Sequence, residues 1–97
     1  MTVIRMGELK AKDGKSDALL EFIGRVIVPG VKTSRGCVAC QVMRHLDDPN
    51  RFFILETWDS IESHKASVKN ISREEIAEIM SLLDDSPQGG YYKELVF

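Results

Sequence analysis

The sequence predicts an α+β fold in which an antiparallel four-stranded sheet is covered by helices on one face. Strand-like and helix-like segments follow one another in the order β-α-β-β-α-β over 97 residues. Four residues, Asp47 to Asn50, separate the two middle strands, a common length for an antiparallel hairpin. Two successive N-terminal capping patterns divide the second helical region. This order is that of the ferredoxin-like, split βαβ arrangement, and a chain of this length predicts one domain, residues 1–97.

The first half of the chain predicts a strand and then a long helix. Val3 to Lys12 contains several apolar residues and ends in a glycine turn, which is typical of a strand. Lys15 to Val28 has apolar residues at intervals of three and four, the pattern of an amphipathic helix. We expect Ser16 or Asp17 to cap this helix, and Pro29-Gly30 to end or kink it.

The second half predicts three strands and a divided helix. Gly36 precedes the second strand, Asp59 is the expected cap of a short helix, and Ser72 with Glu75 forms a capping box before the next helix. The predicted elements are strands at Cys37–Leu46, Arg51–Trp58 and Tyr91–Phe97, and a helix at Glu74–Leu83.

The third strand predicts a homodimer. Its alternate residues divide into two faces that are both largely apolar, and helices can cover only one of them. The first face has Phe52, Ile54, Glu56 and Trp58, and the second has Phe53, Leu55 and Thr57. Because no element remains to cover the second face, we expect the sheets of two copies to pack face to face, giving a dimeric α+β barrel.

Composition excludes several classes of protein. The net charge is −2 and both signs are interspersed, so nothing favours nucleic acid or an anionic membrane as a partner. The first residues have no long apolar core and no small-residue cleavage site, so a secretory signal is not predicted. We expect a cytoplasmic protein that binds neither nucleic acid nor membrane.

The two cysteines, Cys37 and Cys40, have the CxxC spacing of redox and zinc sites. A redox pair needs its first sulfur at a helix N-terminus. This pair starts a predicted strand, where residues i and i+3 point to opposite faces. A zinc site needs further Cys or His ligands at motif spacing, which the sequence lacks. We expect two small packing residues and no metal site.

His64 is the candidate catalytic residue. It lies in the first turns of the helix that follows Trp58, so both side chains can reach one cavity between sheet and helix. An imidazole titrates near neutral pH, which suits a general base that removes a phenolic proton and leaves an anion that O₂ can attack. The alternative is a surface or helix-capping histidine.

The candidate substrate-binding residues are Trp58, Glu56, Met6 and Ile54. Trp58 is either a wall that stacks on a flat substrate or a core residue that closes the strand–helix junction. Met6 either lines an adaptable apolar pocket or fills the core. Ile54 shares the strand face of Trp58.

Glu56 and the tyrosines have competing interpretations. Glu56 either orients His64, accepts a proton itself, or pairs with a cation such as Arg44 or Lys93. Tyr91 and Tyr92 can hydrogen-bond a substrate oxygen, but an aromatic terminal strand more often packs at a dimer interface. We expect His45 to be exposed near the hairpin.

Five short motifs follow one another along the chain. Their order and spacing resemble the antibiotic biosynthesis monooxygenase domain family of the dimeric α+β barrel superfamily, and the resemblance spans nearly the whole chain. The motifs are Lys12-Asp13-Gly14-Lys15, Gly36-Cys37, Asp47-Asp48-Pro49-Asn50-Arg51-Phe52, Glu56-Thr57-Trp58 and His64. The resemblance implies the fold and the dimer already predicted, and His64 matches a recurrent histidine of the family.

The resemblance implies several activities, because fold does not determine function. Relatives include cofactor-free monooxygenases of aromatic phenols, quinol monooxygenases, haem-degrading enzymes and an isomerase. Haem-degrading members have an asparagine where this chain has Gly7, and a histidine where it has Val68, so the resemblance does not favour haem.

We therefore predict a monooxygenase without cofactor that takes an aromatic phenol or quinol and O₂. The alternatives are a non-catalytic, stress-related binding module, or an isomerase that uses the same pocket.

Overall fold

The chain forms a four-stranded antiparallel sheet with helices packed on one face, in a computed structural model that describes residues 2–97. The sheet order is β2-β3-β1-β4, which confirms the predicted α+β, ferredoxin-like arrangement. The elements are β1 (Val3–Lys10), α1 (Ser16–Phe22), a π-helical turn (Ile23–Ile27), α2 (Val28–Lys32), β2 (Cys37–Arg44), β3 (Arg51–Trp58), α3 (Ile61–Val68), α4 (Arg73–Leu82) and β4 (Gln88–Tyr92). Within residues 2–97, none of the helices has the length and apolar character needed to cross a bilayer.

The two faces of β3 differ as the sequence predicts. Phe52 and Trp58 have no exposed surface, and Ile54 and Glu56 are also buried beneath the helices. Phe53, on the other face, is 38% exposed. The core joins this inner face of the sheet to apolar residues of α1, the π-helical turn and α4. Burial of a large apolar side chain contributes about 1.5–3 kcal/mol, so the inner face stabilises the fold while the outer face stays uncovered in the monomer.

Pro29 does not end the first helical region, which continues to Lys32, so of the two expected outcomes, an end or a kink, the end is wrong. A π-helical turn precedes it, so Pro29 lies in the first turn of α2. An N–H at that place has no intrahelical partner, so proline is tolerated there. The expected caps at Ser16 and Asp17 are also wrong, because Lys15 is the N-cap residue and makes no side-chain cap.

The last strand begins and ends earlier than predicted. β4 starts at Gln88 because Gly89 pairs with Gly7 of β1, and it ends at Tyr92 opposite Ile4. The segment 93–97 is not part of a strand, because β1 has only Val3 left beyond the Ile4–Tyr92 pair. The first and second strands are likewise two residues shorter than predicted, ending at Lys10 and Arg44.

The sequence predicts the N-terminal cap of α4 correctly and that of α3 incorrectly. The capping box of Ser72 and Glu75 is confirmed. In α3 the N-cap residue is Ser60, not Asp59: the Ser60 hydroxyl accepts a hydrogen bond from the Ser63 N–H at 3.1 Å. This cap fixes the start of the helix that presents His64 to the sheet.

A β-bulge in β2 changes the prediction for the cysteines. The register shifts between Cys37 and Ala39, so that Cys37 pairs with Trp58 and Cys40 with Glu56. Trp58 and Glu56 both point to the inner face. The expectation that the two thiols point to opposite faces is therefore wrong, because the bulge inserts one extra residue between them.

Gly36→Ala is expected to lower the free energy of unfolding by more than the same change at Gly14. Both glycines have positive φ, +91° and +79°, and an alanine there costs about 1–3 kcal/mol. At Gly36 a Cβ would also lie 2.5 Å from Asp59 Oδ1 and Ser63 Oγ, whereas nothing lies within 4 Å at Gly14. Denaturant unfolding of both variants measures the difference. Equal losses would contradict the close packing of Gly36 on α3.

Candidate active site

Five side chains from four elements meet at one end of the sheet. Arg5 of β1, Glu56 of β3 and Tyr91 of β4 lie opposite one another across adjacent strands. Trp58 ends β3, and His64 comes from α3 just beyond it. Since alternate strand residues share a face, the register brings these groups together on the inner face, where α3 covers them.

His64 is the centre of this cluster. Its Nδ1 lies 2.6 Å from the Tyr91 hydroxyl, and its Nε2 lies 3.9 Å from Glu56 Oε1. The Trp58 ring contacts the imidazole edge-on, with ring centroids 5.5 Å apart. The His64 and Glu56 side chains are only 12% and 11% exposed. The imidazole is therefore held on three sides and has little contact with water.

Glu56 is a buried carboxylate with specific partners. Trp58 Nε1 donates a hydrogen bond to Glu56 Oε1 at 2.8 Å. Burial raises the pKa of Glu56, while the Trp58 hydrogen bond and the charge of Arg5 act in the opposite direction. The alternative ion pair with Arg44 is wrong, because Arg44 instead lies 3.8 Å from Asp17.

His64 is expected to be neutral at pH 7. Burial lowers the pKa of His64 below its usual 6.5, and the positive charge of Arg5 lowers it further. The Glu56 carboxylate only accepts hydrogen bonds, so it favours the tautomer with the proton on Nε2. Nδ1 then accepts from the Tyr91 hydroxyl. This arrangement leaves His64 able to take the tyrosine proton.

Arg5 holds the other side of the tyrosine. Its guanidinium lies over the Tyr91 ring, 4.9 Å from the centroid, a favourable cation–π geometry. Gly89 makes room for it, because a Cβ there would collide with the guanidinium. Gly89 of β4 therefore leaves the space that Arg5 occupies, although the sequence predicted that the last strand begins only at Tyr91.

A cavity of about 410 Å³ lies beside this cluster, within the ~300–1,000 Å³ usual for small-molecule sites. Tyr91 is the member of the cluster that lines it, and the hydroxyl of the same residue contacts His64. The other lining residues are Thr2, Val3, Asp59, Ser60, Ile61, Glu62, Tyr92 and Lys93. Lys93 therefore borders the cavity and forms no ion pair with Glu56.

The structure brings only some of the predicted site residues together. Glu56, Trp58 and His64 are in contact, but Trp58 has no exposed surface and contacts His64 rather than the cavity. Ile54 lies in the filled core. Met6 pairs with Leu55 and faces the outer side of the sheet, contrary to the prediction that places it at the pocket.

Sequence reasoning gave Tyr91 too little weight, because its role depends on the strand register. Tyr91 lies opposite Arg5 in a strand that begins at Gln88, whereas Gly89 and Gly90 led us to predict that the strand begins only at Tyr91.

His45 is exposed, as expected. Its Nδ1 accepts from the N–H groups of Asp47 and Asp48 at 3.0 Å, which is a structural role in the hairpin. Across residues 2–97 no group of three or more His, Cys, Asp or Glu residues is arranged to hold a metal ion.

The titration of His64 tests its burial. We expect a midpoint below 6.5 by NMR, since burial disfavours the imidazolium. The unfolded chain then binds a proton at higher pH than the folded chain, so His64 makes the free energy of unfolding fall as pH drops below 6.5. His64→Gln removes this contribution and is the control. A midpoint at or above 6.5 would contradict a desolvated, neutral imidazole.

Comparison with known proteins agrees with this architecture. A candidate antibiotic biosynthesis monooxygenase from Chloroflexus aurantiacus is 29% identical, with 100% of this chain and 98% of that chain covered and a TM-score of 0.74. Two structures below 25% identity share the fold. One, a candidate antibiotic biosynthesis monooxygenase from Deinococcus radiodurans, has 22% identity, coverage of 98% and 94%, and a TM-score of 0.83. The other, a conserved protein from Methanosarcina mazei, has 17% identity, coverage of 98% and 94%, and a TM-score of 0.83.

Among curated proteins, none matches the chain significantly. The family model described as antibiotic biosynthesis monooxygenase matches residues 2–78. That range contains Arg5, Glu56, Trp58 and His64, and Tyr91 lies beyond it. Because the match covers most of the sequence, the chain belongs to the antibiotic biosynthesis monooxygenase family.

Proposed function

We propose that this protein is a cofactor-independent monooxygenase that acts on an aromatic phenol or quinol bound against Tyr91. The observation that supports this most is the 2.6 Å contact between the Tyr91 hydroxyl and a buried, neutral His64. It gives the cavity a group that can remove a proton from a substrate hydroxyl. Membership of the family supports a monooxygenase in general.

The proton would move in two linked transfers. The substrate hydroxyl gives its proton to the Tyr91 oxygen while the Tyr91 proton passes to His64 Nδ1. The resulting imidazolium faces Glu56 across 3.9 Å, and an opposite charge at that distance stabilises it. In this scheme Tyr91 touches the substrate, and His64 is the final proton acceptor.

The substrate anion would supply all the electrons for oxygen. O₂ adds at an activated ring carbon, one oxygen atom stays on that carbon as a carbonyl, and the other leaves as water. A phenol with a free para position thereby becomes a quinone, and the four electrons that it loses reduce O₂ completely. The protein contributes binding, orientation and exclusion of water. Tyr92 and Ile61, both on the cavity wall, offer apolar surface to a flat ring.

The first test is oxygen uptake by purified protein with a panel of hydroxynaphthalenes, anthrones and quinols. We expect uptake above the rate without protein, one O₂ per substrate consumed, and loss of uptake in His64→Ala. Uptake that is unchanged in His64→Ala would contradict the proton relay. No uptake with any member of the panel would favour an isomerase or the non-catalytic binding module.

An isomerase is the second candidate, because the same relay can move a proton without oxygen. The Tyr91–His64 pair can withdraw a proton from one atom of a substrate and return it to another. Consumption of substrate under argon, with product of unchanged mass, would identify this activity. Oxygen dependence of the same turnover would exclude it.

We also propose a homodimer formed through the outer face of the sheet. This face exposes Phe53, Met43 and Val38, and has an apolar depression of about 270 Å³ lined in part by Met6.

Phe53→Asp would place an unpaired charge in such an interface. We expect it to give monomers in size-exclusion chromatography with light scattering. Ile76→Asp, at a more exposed apolar residue of α4, is the control and should stay dimeric. A monomeric native chain would contradict the proposal.

A further inference from the structure

The CxxC pair lies on the inner face of β2, beside Glu56 and Trp58 of the candidate site but outside the Tyr91–His64 proton relay. The bulge places Cys37 opposite Trp58 and Cys40 opposite Glu56, two positions of one face. Both cysteines are free and half-buried. The Cys37 thiol donates a hydrogen bond to the Ala39 carbonyl oxygen at 3.7 Å. The two cysteines therefore occupy neighbouring positions on one face of β2.

The spacing suits a bridging ion better than a disulfide. Neighbouring positions on one strand face are about 6.6–6.8 Å apart, and their side chains run parallel. A disulfide needs Cβ atoms about 3.5–4.5 Å apart, which would force the strand to distort. An ion with bonds of about 2.3 Å to each sulfur spans about 4.6 Å between them. Small rotamer changes of Cys37 and Cys40 can provide that separation.

The surroundings restrict which ion fits. Burial raises the pKa of both thiols, and the charge of Glu56 raises it further, while Lys32 of α2 acts in the opposite direction. Binding of a metal ion to two cysteines releases both thiol protons, so the ion must form strong bonds to sulfur. No third ligand of the His, Cys, Asp or Glu type completes a metal cluster in the part of the chain that the structure describes. Zinc needs four ligands, whereas thiolates select soft Cu(I).

We propose that Cys37 and Cys40 form a two-thiolate site for a soft monovalent cation, namely Cu(I). One ion replaces two thiol protons, which are released, and two copper–sulfur bonds form. The site then has one net negative charge, which the Lys32 ammonium offsets. This inference does not depend on the proposed enzyme activity.

The test is an anaerobic competition titration of Cu(I) between the reduced protein and a chromophoric Cu(I) chelator. We expect one ion per chain. Fluorescence of Trp58, the only tryptophan and the strand partner of Cys37, should be quenched as the ion binds. Cys37→Ala and Cys40→Ala should each weaken binding by more than about 100-fold, because even changes outside the ligand set cost about 10–100-fold. Lys32→Met should weaken it by about 10-fold.

The thioethers of the outer face provide the control. Met6 and Met43 are also soft ligands and lie together on the opposite side of the sheet. The double variant Met6→Leu/Met43→Leu should bind Cu(I) as the native chain does. Binding that is lost in this variant, or kept in both cysteine variants, would overturn the proposal. So would a Cys37–Cys40 disulfide that forms readily with hydrogen peroxide, because it would show that the sulfurs are too close for a bridging ion.

Discussion

Tyr91→Phe is expected to lower kcat for a phenolic substrate by about 10²- to 10⁴-fold, the usual contribution of a positioned acid–base group. The variant keeps the ring that lies beneath Arg5 and on the cavity wall, so the fold and the KM should change little. It removes only the hydroxyl that contacts His64 Nδ1. Initial rates of oxygen uptake against substrate concentration separate kcat from KM.

Tyr92→Phe is the matched control. Tyr92 lines the same cavity one residue further along β4, but neither ring contact of His64 involves it. We expect nearly native kcat from this variant. Similar losses from Tyr91→Phe and Tyr92→Phe would mean that general polarity of the wall matters, and not the relay.

His64→Gln adds a second view of the relay. If Tyr91 and His64 act as one unit, the double variant Tyr91→Phe/His64→Gln should have a kcat little lower than that of either single variant, because the effects of coupled residues do not add. Full additivity of the two losses in ΔΔG‡ would show independent roles.

The activity of the native enzyme should also decline as pH falls into the range where His64 is protonated. Protonation requires a pH below 6.5, because the pKa of His64 is lowered.

Most of the fold was predictable because the apolar period of the sequence is regular. Arg51–Trp58 alternates between two faces without interruption, and the structure has a strand with those bounds. The capping box at Ser72 likewise needs only local sequence. Two of the errors occur where one residue is added to a regular element. The bulge at Cys37/Ala39 and the π-helical turn before Pro29 each shift the pattern by one position, and the bulge exists only in the pairing of β2 with β3.

The candidate site was predictable only within one stretch of chain. Glu56, Trp58 and His64 are close in sequence, and the strand–helix junction brings them together. Arg5 and Tyr91 come from opposite ends of the chain. They meet Glu56 because β1, which contains Arg5, pairs with β3 on one side and with β4 on the other. Met6 was placed on the wrong face because one strand alone does not show which of its faces the helices cover.

Trp58→Ala is expected to cause the largest loss of stability, about 3–5 kcal/mol from cavity formation in the core. The ring has no exposed surface, and it also donates the hydrogen bond that Glu56 accepts at 2.8 Å. An unpartnered buried acceptor adds about 1–3 kcal/mol. A small domain has a total stability of about 5–15 kcal/mol, so the variant should be partly unfolded or close to it in chemical denaturation.

Trp58→Phe separates the two contributions through pH. It keeps most of the buried ring but removes the N–H that opposes the rise in the pKa of Glu56. A carboxyl group with a raised folded-state pKa binds a proton more tightly in the folded chain, so its contribution to stability falls as pH rises from the ordinary value of 4.5 through the folded-state pKa. The gap in unfolding free energy between native protein and Trp58→Phe should therefore be largest near neutral pH and narrow toward pH 4.5. Introducing Glu56→Gln into both proteins should remove that narrowing. A gap that stays constant with pH would mean that the indole hydrogen bond does little to hold the charge of Glu56, and the electrostatic account of His64 would then lose its fixed negative partner.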